Sequence, residues 1–284
     1  MTTVINFATN SLGDNIAYSP YPSEYQKIYG GKVYVATIWK DIFKSNNENV
    51  EFIDKNFVPK SDKYYNIDFI FKDCPIQKLI CDQLSIDYKE IVPSININNN
   101  HIKSKKKYVC ISVQSTSQCK YWNKPNGWNK VVRYLNRLGY EVHCIDKDKV
   151  FGIKDHWNDI PDGCIDKTGN HSINDRINQI NNCEFFIGLS SGLSWLAWAL
   201  KKKVVMISGC TLPNNEFVSN NYRVYKSDVC NGCLNDSLID NKKGILQGWL
   251  YCPRNKNFEC STKIDFDDVK KKIDQCMNDL KTCS

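Results

Sequence analysis

The sequence predicts an α/β protein made of two Rossmann-like halves that face each other across a cleft. Three observations carry this. Short β-rich runs alternate with helical segments along the whole chain. The alternation pauses at a polar, Asn-rich stretch, YKEIVPSININNNHIKSKKK (88–107), and then restarts. Late in the chain a four-cysteine segment interrupts the second round. Strands alternating with helices favour parallel sheets covered by helices on both faces. Two such sheets divide the chain into 1–103 and 104–284, with a cysteine insertion at 228–262 in the second part.

The elements follow in order. An apolar run, Val4 to Ala8, ends at SLGD and reads as the first strand. A helix is expected through Tyr25–Ile28, with a Pro-rich start at Pro20 and Pro22. KVYVATI (Lys32–Ile38), VEFIDKNF and YNIDFIF are β-rich, and IDFIFKD is apolar enough to predict a buried strand. PIQKLICDQLSI (Pro75–Ile86) opens on proline and has a helical apolar period. In the second half, YVCISVQ (Tyr108–Gln114) is a strand, and GWNKVVRYLNRLG (Gly127–Gly139) is an amphipathic helix closed by glycine. YEVHCID is a strand, and SINDRINQINNC a helix capped by serine. EFFIGL, SGLSWLAWALKK and KVVMISG read as strand, helix and strand, and DFDDVKKKIDQCMNDLK closes the chain as an amphipathic helix.

Bulk properties narrow the function. The 284 residues carry 38 basic and 31 acidic side chains, a net charge of +7. That is a mild excess, not the clustered basic stripe of a nucleic-acid binder. KYWNKPNGWNK mixes basic and aromatic residues, but far in sequence from the cysteines. The longest apolar run, FFIGLSSGLSWLAWAL, is broken by Gly and Ser and falls short of the roughly 18–20 apolar residues of a membrane span. No basic region precedes the apolar residues of MTTVINFATNSLGDN, so no signal peptide is expected and the expected compartment is the reducing cytoplasm.

In open α/β sheets, ligands bind beyond the carboxyl ends of the strands, so three loops are candidates for chemistry. In NSLGDNIAYSP, Gly13 allows close backbone approach to a ligand. Asp14 there has two possible roles, a helix N-cap or a general base facing the cleft. In QSTSQCKYWN, the hydroxyls of Ser115, Thr116 and Ser117, beside Gln114 and with Lys120, suit a phosphate. In GLSSGLSWLAWAL, the small residues Ser190, Ser191 and Gly192, with Leu193 and Ser194, open a buried helix whose first N–H groups are free for an anion. Trp195 and Trp198 read as core. There is no G-x-x-x-x-G-K-[ST], and no G-x-G-x-x-G follows a strand, so neither a P-loop nor a nicotinamide or flavin site is expected.

Fourteen cysteines are present. Ten are scattered, and several, such as Cys110 and Cys144, sit in apolar runs as small buried hydrophobes. Cys230, Cys233, Cys252 and Cys260 are spaced C-x2-C-x18-C-x7-C, half of it a standard metal knuckle. Four thiolates suit zinc or iron, and the spacing does not choose between them. A site filled by four cysteines has no open position, which makes it structural.

SLGDNIAYSPYPSEY, QSTSQCKYWN, SSGLSWLAWALKKKVVMISG and CNGC…WLYCP…FEC, in this order, resemble the bacterial autotransporter heptosyltransferases. These are relatives of the lipopolysaccharide heptosyltransferases. The resemblance covers nearly the whole chain. It implies a GT-B fold and inverting transfer of a heptose from an ADP-sugar to serine hydroxyls of a protein. It implies Asp14 as catalytic base, Lys120 on the donor phosphates, and Ser191 to Ala197 at the donor site. It also implies an iron ion on Cys230, Cys233, Cys252 and Cys260 in a finger-like insertion, and assembly as a homo-oligomer. Members of the family carry a further region before the first strand, whereas this chain begins almost at that strand. SSGLSW stands where the lipopolysaccharide enzymes carry D-[TS]-G-x-x-H, closer to the protein-modifying branch. The competing expectation is a non-catalytic nucleotide-sugar-binding or assembly protein of the same fold.

Overall fold

The computed structural model describes residues 1–97, 106–153, 156–239 and 250–282. The first part runs β1 (Thr2–Phe7), α1 (Leu12–Tyr18), α2 (Tyr21–Tyr29), β2 (Lys32–Ala36), β3 (Val50–Ile53), β4 (Lys63–Ile67) and α3 (Ile76–Leu84). Its four strands are parallel, in the order β3-β2-β1-β4. The second part begins with β5 (Tyr108–Ile111), α4 (Gly127–Arg137) and β6 (Glu141–Cys144). An antiparallel hairpin, β7 (Val150–Ile153) and β8 (His156–Asp159), comes next. It is followed by β9 (Ile165–Asp166), α5 (Ile173–Asn181), β10 (Phe186–Leu189), α6 (Gly192–Ala199), β11 (Val204–Ile207) and β12 (Asn221–Val224). The short α7 (Glu259–Thr262) and the long α8 (Phe266–Thr282) end the chain. The second sheet is also parallel, in the order β12-β11-β10-β5-β6-β9.

The central strands of the second sheet, β5, β10 and β11, are buried along their whole length. This is the pattern of a parallel sheet covered on both faces. On one face Val131 and Leu135 of α4 and Val269 and Ile273 of α8 pack on Val109 and Ile111. On the other face a larger apolar cluster takes in Trp195 and Trp198 of α6 and continues into Ile5, Ile16, Tyr18 and Leu79 of the first part. The two halves therefore share a core through α6. That helix is apolar on all sides, as a helix enclosed by protein must be.

Several sequence expectations need correction. The helix expected through Tyr25–Ile28 is α2, capped at Pro20, and the separate helix α1 precedes it. Pro20 has no N–H to continue the α1 ladder, so the chain turns there and restarts as α2. VEFIDKNF leaves the sheet at Ile53, where the Asp54 carboxylate and carbonyl accept Asn56 and Phe57 N–H groups at 2.8 and 3.0 Å. IDFIF is not a buried strand. β4 is an edge strand ending at Ile67, and Phe69 and Phe71 leave it to line the cleft. The polar stretch at 88–107 is not a plain linker where it is described. Ile95 pairs with Phe43, and the Glu90 carboxylate accepts the N–H groups of Val218 and Ser219 at 2.5 and 3.0 Å, stitching the halves together. The boundary expected at 103/104 lies outside the described residues, as does 240–249 of the cysteine insertion. β7, β8, β9 and β12 were not expected, because they are short and have no clear alternation. Among the described residues no helix is long and apolar enough to cross a membrane.

The starts of α1 and α6 meet face to face. A Cβ on Gly192 would lie 3.0 Å from Leu12 Cβ and 3.2 Å from the Gly13 nitrogen, and a Cβ on Gly13 would lie 3.3 Å from the Trp195 ring. Glycine at both positions lets the two helix starts approach this closely without displacing a neighbour. Gly192→Ala is expected to wedge them apart and to cost about 1–3 kcal/mol, the usual range for overpacking. A fall in the midpoint of urea unfolding would show it. An unchanged midpoint would mean that the contact relaxes freely.

Candidate active site

A cleft of about 1060 Å³ lies between the two sheets, at the carboxyl ends of their strands. It is lined from the first half by Thr9 to Asp14, Trp39, Asp68 and Phe69, and from the second by Gln114 to Ser117, Lys120, Asp146 to Asp148 and Ser190 to Leu193. All three loops singled out in the sequence open into it.

The first loop is held rigidly. Asn15 Nδ2 donates to the carbonyls of Thr9 and Ser11 at 2.9 and 2.8 Å, and Thr37 Oγ1 donates to Asn15 Oδ1 at 2.5 Å. Lys55 Nζ donates to Ala8 O and to Asn10 Oδ1 at 3.2 and 2.9 Å, and Trp39 Nε1 to Asn10 O at 3.0 Å. The N-cap of α1 is Ser11, so Asp14, the third helical residue, is not the cap. Its carboxylate accepts Thr9 Oγ1 at 3.2 Å and keeps some surface toward the cleft. The group is hemmed in deep within the molecule. That enclosure raises its pKa above the ordinary carboxylate value, while Lys120 across the cleft pulls it back down.

Lys120 ends a single 3-10 turn, Gln118–Lys120. Among the described residues its ammonium makes no ion pair or hydrogen bond, which leaves it free for a ligand. Gln114, Ser115 and Thr116 line the same wall, where the Gln114 amide donates to Asn158 O at 3.1 Å. This wall rests on Asp146. Its buried carboxylate accepts Ser112 Oγ at 2.6 Å and Val113 N at 2.8 Å; burial raises its pKa and these donors oppose the rise. On the third loop, Ser190, Ser191, Gly192 and Leu193 reach the cleft. Ser194 does not. It is fully buried and donates to Leu189 O at 2.5 Å, bracing the turn from behind. Trp195 and Trp198 are core, as expected, and so are Trp122 and Trp128 of KYWNKPNGWNK.

Of the residues not anticipated, Asp146 was the most findable, as a carboxylate just past the end of a strand. Lys55, Trp39 and Glu216 lie in segments with no pattern of their own, and only the fold brings them to the site.

The cysteine segment is anchored beside this wall. Gly232, at a φ of 73°, makes the turn between Cys230 and Cys233. Its N–H donates to Gly209 O at 2.9 Å, and Leu234 N donates to Cys210 O at 3.0 Å. A Cβ on Gly209 would fall 2.2 Å from Cys260 O, so the return of the segment presses on the end of β11. Beyond Cys260, Ser261 Oγ donates to Tyr121 O and accepts Asn123 N at 3.1 Å, and Trp122 Nε1 donates to Ile264 O at 3.0 Å. Cys233 and Cys260 are buried, Cys230 and Cys252 half-buried. Burial first, then the neighbouring thiols, pushes Cys233 up to about 12 and raises Cys260 in the same way. Among the described residues no three or more His, Cys, Asp or Glu side chains are arranged to hold an ion. Cys119 and Cys210 bring their sulfurs within 3.1 Å between the wall that holds Lys120 and this segment.

The profile of a family described as glycosyltransferase family 9 (heptosyltransferase) matches residues 77–231. BAHTCr, an autotransporter heptosyltransferase of Citrobacter rodentium, is 35% identical over 282 residues, covering 92% of this chain and 67% of that protein. This chain belongs to the heptosyltransferases of glycosyltransferase family 9. The autotransporter heptosyltransferase TibC of Escherichia coli O78:H11 is 34% identical over 280 residues, 92% of this chain and 68% of that one. Crystal structures of TibC, described as dodecameric and iron-containing, match this fold with a TM-score of 0.89 at 31–32% identity, covering 98% of this chain and 76% of that one. One of them is a complex with ADP-D-beta-D-heptose. BimC of Burkholderia thailandensis, named an inactive autotransporter heptosyltransferase, is 31% identical over 194 residues, 67% of this chain and 45% of that protein. The fold is the GT-B fold of these heptosyltransferases, and the protein is a glycosyltransferase.

Because the folded protein holds the Asp14 proton more tightly than the unfolded chain, Asp14 costs stability once pH rises through its folded pKa. Asp14→Asn is expected to melt higher than wild type at pH 7–8, with the gap closing toward pH 4. A gap that does not change with pH would mean that Asp14 is not held protonated by its surroundings.

Proposed function

We propose that this glycosyltransferase moves a heptose, with inversion, from an ADP-heptose donor to a hydroxyl of a protein acceptor, serine by resemblance. One observation supports this most: Asp14 and Lys120 face a single cleft from opposite halves, close enough for each charge to act on the other. Lys120 and the free N–H groups at the start of α6 bind the donor diphosphate and stabilise the charge that grows on it as the anomeric C–O bond breaks. Asp14 takes the proton of the acceptor hydroxyl as that oxygen bonds to the anomeric carbon from the other face. A carboxylate with a raised pKa is a stronger base near neutral pH. Gly13, Gln114, Ser115, Thr116, Ser191 and Leu193 shape the donor side. TibC, 31% identical and crystallised with ADP-D-beta-D-heptose, supports the donor.

Asp14→Asn is expected to keep ADP binding and to lose transfer by at least about 100-fold, the scale of general-base loss. Lys120→Ala should weaken ADP. It should also move the acidic limb of kcat/KM to higher pH, since Lys120 lowers the Asp14 pKa. Unchanged transfer by Asp14→Asn would remove it as the base. The likeness to BimC keeps a non-catalytic reading in view, and wild-type protein that binds ADP-heptose without turning it over would establish that reading.

We also propose one structural metal ion on Cys230, Cys233, Cys252 and Cys260. The chemistry of the donor set supports this, though among the described residues the four thiols are not gathered into one cluster: a glycine turn lies within the first pair, and Lys256 N–H donates to Cys252 Sγ at 3.2 Å. Cys thiols must lose their protons to ligate a cation, so binding here would be linked to folding. Iron is preferred, because TibC is described as iron-containing, and zinc is the alternative. The ion has a folding role, with the transfer chemistry left to the cleft. Elemental analysis should find about one iron or zinc per chain, lost together with thermal stability in Cys233→Ser. Protein that is fully stable without either metal would overturn this. A division at 1–103 and 104–284, assembly as a homo-oligomer like the dodecameric TibC, and a reducing cytoplasmic setting for the free thiols complete the reading.

A further inference from the structure

Behind the third loop lies a buried charge pair that the transfer mechanism does not use. Glu216, between β11 and β12, is 2% exposed, and its carboxylate pairs with Arg223 of β12. Arg223 also donates through Nη2 to Thr211 O at 2.8 Å, Thr211 Oγ1 at 3.0 Å and Ser208 O at 3.3 Å. The other face of the pair points at the cleft. Glu216 Oε1 accepts both Ser190 Oγ and, at 2.6 Å, Thr211 Oγ1. Ser190 and Thr211 line the cleft; Glu216 does not.

The direction of these bonds has a chemical consequence. A hydroxyl has one proton and two lone pairs, and an ionised carboxylate only accepts. The protons of Ser190 and Thr211 are therefore both committed to Glu216. Thr211 Oγ1 then accepts Arg223 Nη2 and meets Ser208 Oγ at 3.1 Å, so it has nothing left for a ligand and serves as a brace. Ser190 keeps its lone pairs. A hydroxyl in that state has no proton for a phosphate oxygen, which is itself an acceptor. It matches a ligand hydroxyl. Arg223 balances the Glu216 charge, so the arrangement is built beside the diphosphate site without a net negative charge.

We propose that Glu216, locked by Arg223, is a positioning residue that makes Ser190 an obligate acceptor for a hydroxyl of the sugar-nucleotide donor. This rests on the donor reading above. It gives Ser190, expected from the sequence only as a donor-side residue, the part of a sugar reader. The hydroxyl belongs either to the ribose or to the transferred sugar.

Calorimetric titration with pyrophosphate, ADP and ADP-heptose separates the cases. Pyrophosphate has no sugar hydroxyl, ADP adds the adenine and the ribose, and ADP-heptose adds the second sugar; inosine diphosphate, which lacks the adenine amino group, separates adenine from ribose. Ser190→Ala is expected to leave pyrophosphate affinity unchanged and to weaken ADP-heptose about 5–10-fold, the size of one lost net hydrogen bond. An equal loss for ADP and inosine diphosphate assigns the ribose; an unchanged ADP assigns the heptose; both support the proposal. A loss for ADP that inosine diphosphate escapes assigns the adenine amino group and overturns it, as does an equal loss for every probe or no loss for any. Glu216→Gln, whose amide donates to Ser190, should reproduce the Ser190→Ala pattern. In the double variant it should add nothing further, because it acts through Ser190. If Glu216→Gln fails to fold, Ser190→Ala alone decides. Wild-type protein that binds none of the probes would overturn the donor reading, and this proposal with it.

Discussion

The close approach of Gly13 and Gly192 sets the geometry of the site. Two helix starts, one from each half, touch backbone to backbone because neither glycine carries a Cβ. Everything in the cleft is arranged around that point. Asp14 is the next residue on one side. On the other are the first free N–H groups of α6, and Lys120 stands opposite. A methyl at either glycine would press on the facing helix start, at 3.3 Å from Trp195 for Gly13 and 3.0 Å from Leu12 for Gly192. The all-apolar α6, packed by Trp195 and Trp198 into a core shared by both halves, keeps the contact in register.

The site is also organised by where its carboxylates are satisfied. Asp146 and Glu216 are buried and saturated with donors, and each fixes a loop without taking part in the reaction. Asp14 has the Thr9 hydroxyl at 3.2 Å, the Ser11 hydroxyl beside it and a cation across the cleft. It is the least satisfied of the three and the one that faces the cavity. A protein that spends stability to hold an acid in this state concentrates its reactivity at one atom pair.

Much of this was legible in the sequence, and the misses have physical causes. Strands buried on both faces, such as YVCI and FIGL, announce themselves by unbroken apolarity. α4 and α8 do so by their helical period, and α5 by its serine cap. The three loops were found because parallel topology fixes which strand ends carry function. The edge strand β4 was misplaced by a few residues, because IDFIF is apolar for the sake of the cleft and not for a sheet interior. Pro20 marks the start of α2, whereas the seven-residue α1 is too short to show a helical period of its own. Ser194 was assigned to the donor side by its position in the motif, but the helix turns its hydroxyl back to Leu189. Glu216 had no local signal at all. Its role exists only because β11 and β12 pair and bring Arg223 beside it.

The hydrogen bonds from Ser261 and Ile264 to residues 121–123 tie the return of the cysteine segment to the loop that ends in Lys120. Cys260 is one residue from Ser261, and Lys120 is one residue from Tyr121. Ordering at one end is thus felt at the other within a single short span of chain. Coupling of this kind is reciprocal. On the proposed reading, a segment pinned through Cys260 tightens the loop that ends in Lys120, and a donor held on Lys120 tightens the segment in return. On that reading the insertion, peripheral in the fold, is a thermodynamic partner of the proposed donor.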